Sequence, residues 1–144
     1  MNQKGVTLIE LITVMVIIAI GAALATPNIG GWLTNYRLKS ATREVASTLR
    51  LAQIKAVSGN TTYQVVFDTV NNSYIIQYQN TGGAYVADGA TQTLPAGVTF
   101  STNFGNTATF FPSATVANTG AINFSNTKGM TKIVKLQSGR IKIE

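Results

Sequence analysis

From Val6 to Ala25 nearly every residue is apolar, and this one block constrains the chain more than anything else in it. About 20 residues rising about 1.5 Å each span roughly 30 Å as a helix, enough to cross the hydrocarbon core of a bilayer. A short polar leader, residues 1–5, precedes the block and carries one positive charge at Lys4. An ordinary secretory signal peptide has the same order and would be cut after small residues, and Ala23, Ala25 and Thr26 offer such a place. Glu10 argues against that reading. A carboxylate within a membrane segment costs about 3 kcal/mol at the bilayer centre and tends to be functional where it is kept. The bland alternative is a Glu that snorkels to the interface or stays protonated.

The rest of the chain is different in kind. The whole chain, at 144 residues, leaves room for one domain with a real core. The C-terminal two thirds are rich in Asn, Thr, Ser and Gly, so the overall hydrophobic content of 45% combines an apolar block with a polar remainder. A membrane segment followed by a water-facing head fits this distribution. The formal charge of +6 suits phosphates of nucleic acid or lipid, although most such charges only keep a surface wet. Neither Cys nor His occurs, which removes disulfides, thiolate metal sites, the commonest general base and the best nucleophile.

Pro27, with Gly21, Gly30 and Gly31, marks a place where a helix leaving the membrane would bend or weaken. From Trp32 to Val57 the period is helical. Leu38, Ala41, Val45, Leu49, Ala52 and Ala56 form one apolar stripe, with Arg43 and Arg50 on one flank and Arg37, Glu44 and Lys55 on the other. Ser58-Gly59-Asn60 ends this helix, with Gly as the terminating signal. After Asn60 the period becomes two. Residues 62–68 and 73–79 read as a hairpin turning at Val70-Asn71-Asn72, and further short strands are expected near 97–101, 108–111, 120–124, 131–136 and 140–143. The fold class is α+β: a helix on one or two antiparallel sheets, with no internal repeat and no second domain boundary within the head.

The run Lys4-Gly5-Val6-Thr7-Leu8-Ile9-Glu10-Leu11 resembles the cleavage and assembly motif of type IV pilins and type II secretion pseudopilins. The resemblance covers the first 27 residues. It implies that a prepilin peptidase cuts between Gly5 and Val6 and methylates the new amine. It also implies that the apolar segment is retained, and that Pro27 kinks the helix. Glu10 then falls where the family has its assembly glutamate, which neutralises a neighbouring subunit's ammonium in the low-dielectric filament core. The family usually has Phe at the new terminus, where this chain has Val6. Lys4 is the only side-chain charge on the leader side, while Arg37, Lys39 and Arg43 follow the apolar run, so the positive-inside rule favours the reverse topology. The resemblance instead implies a leader in the cytoplasm and a head in the periplasm.

The order of long helix, hairpin and polar loops, then Phe110-Phe111-Pro112, Gly120-Ala121-Ile122-Asn123-Phe124 and Gly139-Arg140-Ile141-Lys142-Ile143, is similar to the GspH/FimT group of minor pilins and pseudopilins. That resemblance is looser and covers most of the head. It implies a type IV pilin-like fold, a long N-terminal α-helix packed on a C-terminal antiparallel β-sheet head. The chain then divides into a leader (1–5), a transmembrane and filament-core segment (6–27) and a periplasmic head (28–144) made of helix 32–57 and a β-rich region 61–144. The expected partners are other pilin or pseudopilin subunits, the prepilin peptidase and the bacterial inner membrane.

Catalysis finds little support. Glu44, Asp68, Asp88 and Glu144 are the only carboxylate side chains of the head, and none stands in a spacing typical of a metal site, phosphate loop or nucleophile elbow. The expectation is a non-enzyme without cofactor or metal. DNA is the alternative partner. Lys128, Lys132, Lys135, Arg140 and Lys142 crowd the last seventeen residues, and Arg140 and Lys142 share a strand face from which they could clamp successive phosphates. Some members of the resembled group capture DNA through a Gly-Arg-x-Arg tail. Here Lys142 stands at the second Arg and lacks its bidentate fork. The plainer reading is an edge strand kept soluble by charge.

Overall fold

The structure is a computed structural model that describes residues 5–25 and 29–144. The expected kink at Pro27 and the charge of Lys4 lie outside the described residues. The chain falls into two units that divide after Leu33.

The first unit contains helix α1, Leu8–Ala25. The second, the head, begins at Thr34 within helix α2, Ile29–Ser58, and continues through nine strands. These are β1 (Tyr63–Asp68), β2 (Ser73–Gln79), β3 (Tyr85–Ala87), β4 (Gln92–Thr93), β5 (Val98–Thr102), β6 (Thr107–Phe110), β7 (Gly120–Asn126), β8 (Thr131–Gln137) and β9 (Arg140–Ile143). All pairings are antiparallel. One sheet runs β3-β2-β1-β6, with β4 also on β2; the other runs β5-β7-β8-β9.

The expected stripe of α2 is what packs. Leu38, Ala41, Val45, Leu49, Ala52 and Ala56 are all buried, and they meet the inward faces of both sheets. Period-two alternation supplies those faces: Val65 and Phe67 on β1, Ile122 and Phe124 on β7, Val134 and Leu136 on β8. An aromatic cluster ties the sheets together. Phe67 stands edge-on to Phe100 of β5 at 5.6 Å between ring centroids, and Phe100 lies 6.1 Å from Phe124. Gly120 opens β7 because nothing larger fits: a Cβ there would come within 2.4 Å of Asn103 Oδ1 and 2.7 Å of Phe104.

Helix α2 stops at Ser58 as expected, but the left-handed residue is Asn60 (φ 46°), not Gly59. Thr61 N–H donates to Ala56 O and Asn60 N–H to Val57 O, the paired bonds of a Schellman cap. Asn can stand there because its short polar side chain tolerates the left-handed region. In the β1–β2 turn Asp68 Oδ1 accepts the N–H groups of Val70 and Asn71 at 2.9 and 3.0 Å. The backbone bond from Asn71, then its side-chain amide, hold the Asp68 carboxyl below the usual carboxylate range.

Candidate functional site

Two surfaces carry the chemistry singled out in the sequence, and they lie in different units. In the first unit, α1 is apolar around its whole circumference, and residues 5–24 are exposed. Its one hydroxyl inside the apolar run, Thr13, donates to Ile9 O at 2.7 Å and so is satisfied within the helix. Helices that are apolar all round are normally buried. Among the described residues no helix is long and apolar enough to cross a membrane. Helix α1 is described over 18 residues, about 27 Å at 1.5 Å each, just short of the roughly 20 that a bilayer core requires.

Glu10 sits in the first turn of α1 and is exposed. Thr7 caps this helix. Its carbonyl accepts from Glu10 N–H at 3.1 Å and Leu11 N–H at 3.2 Å, and its hydroxyl reaches Glu10 Oε2 at 3.4 Å. Glu10 therefore sits at the positive end of the helix dipole. Thr7-x-x-Glu10 is a capping-box spacing, legible in the sequence but overshadowed there by the question of membrane cost. Gly5 and Val6 precede the helix as exposed chain without regular secondary structure.

In the head the five candidate cations do not form one patch. Lys135 and Lys142 are cross-strand neighbours on β8 and β9 and point away from the core, and both pair with Glu144. Lys142 Nζ stands 3.0 Å from Glu144 Oε1. Their hydrogen bonds, that of Lys135 first, hold the Glu144 carboxyl below its ordinary range. Arg140 shares their outward face and opens onto a groove of about 710 Å³ between α2 and β9, with Arg50 across it. Arg50 Nη2 donates to Ile141 O at 3.2 Å. Lys132 has the inward parity of Val134 and Leu136, and at the strand's end it meets Lys39 and Arg43 of α2. Lys128 sits in the β7–β8 turn, whose Asn126 bonds to Asn35 of α2 at 3.2 Å.

The two flanks of α2 follow the sequence reading, since Arg43 and Arg50 face the β8–β9 side while Lys55 faces the other sheet. Lys55 Nζ meets Asp88 Oδ2 at 2.7 Å, and this hydrogen bond raises the Lys55 pKa. Sequence reasoning did not foresee that Asp88, beyond β3, would be its partner, since no local spacing links residues so far apart. Among the described residues no cluster of carboxylates could hold a metal ion.

Residues 1–26 match the prokaryotic N-terminal methylation motif, and residues 41–140 match the family described as type II transport protein GspH. The chain belongs to the GspH family. Solved structures share the fold. The minor pseudopilin EpsH from the type 2 secretion system of Vibrio cholerae is similar at TM-score 0.67 and 12% identity, over 75% of this chain and 96% of that one. The type IV minor pilin FimU of Pseudomonas aeruginosa is similar at TM-score 0.63 and 20% identity, over 76% and 90%. At these identities the likeness is one of fold. No curated protein sequence matches. The α+β, pilin-like architecture expected for a GspH-type chain is the one observed, a long N-terminal helical part and antiparallel sheets.

Proposed function

We propose that this GspH-family chain is a minor subunit of a type II secretion pseudopilus or type IV pilus, with a structural and not an enzymatic role. It is made as a single-pass inner-membrane precursor with the head in the periplasm. A prepilin peptidase cuts between Gly5 and Val6, and the subunit then joins other pilin or pseudopilin subunits. The observation that carries this reading is α1: an exposed helix, apolar on every side, with one carboxylate in its first turn. Such a surface calls for lipid before assembly and for the helices of neighbouring subunits afterwards. The sequence run 6–25 supplies the twenty residues a membrane span needs.

Glu10 then has two separable roles, capping α1 and neutralising a neighbour's amine. Glu10→Gln keeps a polar group near Thr7 and removes the charge, while Glu10→Ala removes both. An unpaired buried charge costs about 3–5 kcal/mol, so incorporation into the filament should fall more than about tenfold in both variants, with insertion and cleavage unchanged. Wild-type incorporation of Glu10→Gln would assign Glu10 to the cap alone.

A DNA-binding role is the second reading. It is favoured by one observation, the open placement of Arg140 beside Arg50 and Lys142. Glu144 weighs against it, because it holds Lys135 and Lys142. If DNA docks here, Glu144→Gln should tighten salt-dependent binding and Arg140→Ala should abolish it. No binding by either protein leaves the structural role alone.

A further inference from the structure

Strand β9 is an outer strand of its sheet, paired to β8 on one side alone. Glu144 and Ile133 exchange both backbone bonds, at 2.8 and 3.0 Å, so in this antiparallel ladder Lys142 and Arg140 also bond to β8. The peptide groups of Ile141 and Ile143, which alternate with them, point the other way, off the sheet. Arg50 confirms the direction, since its Nη2 reaches Ile141 O from α2. The N–H groups of Ile141 and Ile143 are therefore donors aimed to the α2 side, where both residues line open grooves. The outer edge of β6, in the other sheet, is closed by comparison. Val116 bridges Phe110, Ala117 N–H donates to Thr109 O at 2.9 Å, and Asn118 Nδ2 donates to Thr107 O at 3.2 Å. Strand β9 has no such cover among the described residues.

Exposed cations alone would mark only a solvated edge. Here they border a groove of about 710 Å³ that also holds Ile54 of α2, which is 63% exposed. A strand added to β9 would turn alternate side chains to the two faces of the sheet. On the inner face they would reach Ile54. On the outer face they would stand beside Arg140 and Lys142, in the closer, non-hydrogen-bonded pairing. Arg50, Arg140, Lys135 and Lys142 outnumber the side-chain and terminal carboxylates of Glu144, so the outer face favours acidic residues. A second copy of this chain does not supply them, because β9 against β9 would bring Arg140 and Lys142 of the two copies together. We propose that the outer edge of β9 docks an extended segment of another subunit, alternating apolar and acidic residues, which joins the sheet as an added strand. Arg50 would then turn from Ile141 O to one of the incoming carboxylates. That the strand comes from another subunit rests on the assembly reading above; the edge itself does not.

The test uses the full chain in neutral detergent and a synthetic peptide, Val-Glu-Val-Glu-Val-Glu-Val, blocked at both ends. Amide hydrogen exchange is followed residue by residue by nuclear magnetic resonance. In the free chain Ile141 and Ile143 should exchange fast while Arg140 and Lys142 exchange slowly. With the peptide bound, Ile141 and Ile143 should slow by about tenfold or more. Ile54→Ser should weaken binding about tenfold, and Arg140→Gln with Lys142→Gln about fivefold. The same spectra check that each variant still folds. Slow exchange of Ile141 and Ile143 in the free chain, or binding that leaves both fast, would overturn the added strand. Equal binding of a peptide with the same composition but contiguous Glu residues would overturn it too, since charge alone would then suffice. Failure of the peptide to bind would overturn the site, and a short DNA duplex that bound there in its place would assign the groove to nucleic acid. The peptide assay needs no filament, so its failure is distinguishable from failure of the subunit to be incorporated.

Discussion

Tyr74 shows how far a single side chain can be held from its ordinary chemistry. It is 2% exposed, and its hydroxyl lies near Thr48 and Glu44 without forming a hydrogen bond. Burial, before any neighbour, pushes this phenol up to about 12. Because the folded value is raised above the unfolded one near 10, the contribution of Tyr74 to stability is complete below pH 10 and is lost as pH climbs toward 12. An ultraviolet titration should therefore show one of the tyrosines ionising late, together with a fall in thermal midpoint over that interval. Tyr74→Phe removes both signals and changes neutral-pH stability by less than about 1 kcal/mol, since no hydrogen bond is broken. A Tyr74→Phe protein that keeps the late-ionising group would show that another tyrosine carries it.

At the scale of elements, α2 is the part the two sheets share, and its stripe is where damage is greatest. Leu49 is fully buried between them, so Leu49→Ala should cost about 2–5 kcal/mol by urea unfolding, against less than about 0.5 kcal/mol for the exposed Ser47→Ala. A small loss at Leu49 would mean that the helix is not the floor of the core. This helix was legible because its apolar residues recur at three and four, and β1, β2 and β9 because theirs recur at two between clear turns. Strands β3 and β4 were not. Tyr85–Ala87 and Gln92–Thr93 are short and exposed edge segments, so no apolar period marks them; pairing with β2 alone makes them strands. The cap at Asn60 was misassigned to Gly59 for a related reason, since both residues accept positive φ and only the hydrogen-bond pattern separates them. The five basic candidates were visible as a count. Their division into an outward pair held by Glu144, an open Arg140, an inward Lys132 and a Lys128 in the β7–β8 turn depends on strand parity and on residues distant in sequence.

For the whole molecule, the two ends of the chain pose different physical problems. The head closes its own core with the stripe of α2 and two sheets. Helix α1 presents Leu, Ile and Val on every side and has no core of its own. GspH-family membership fits that asymmetry, and so does the methylation motif over residues 1–26. The central claim is that the apolar segment is kept and only the short leader is removed. Its most direct test is the mass of the mature N-terminus after expression with and without a prepilin peptidase. The account predicts a chain beginning at Val6, 14 Da heavier where the amine is methylated, formed only when the peptidase is present. A chain beginning near Ala25 or Thr26 would contradict it, because the segment proposed to anchor and assemble the subunit would have been discarded.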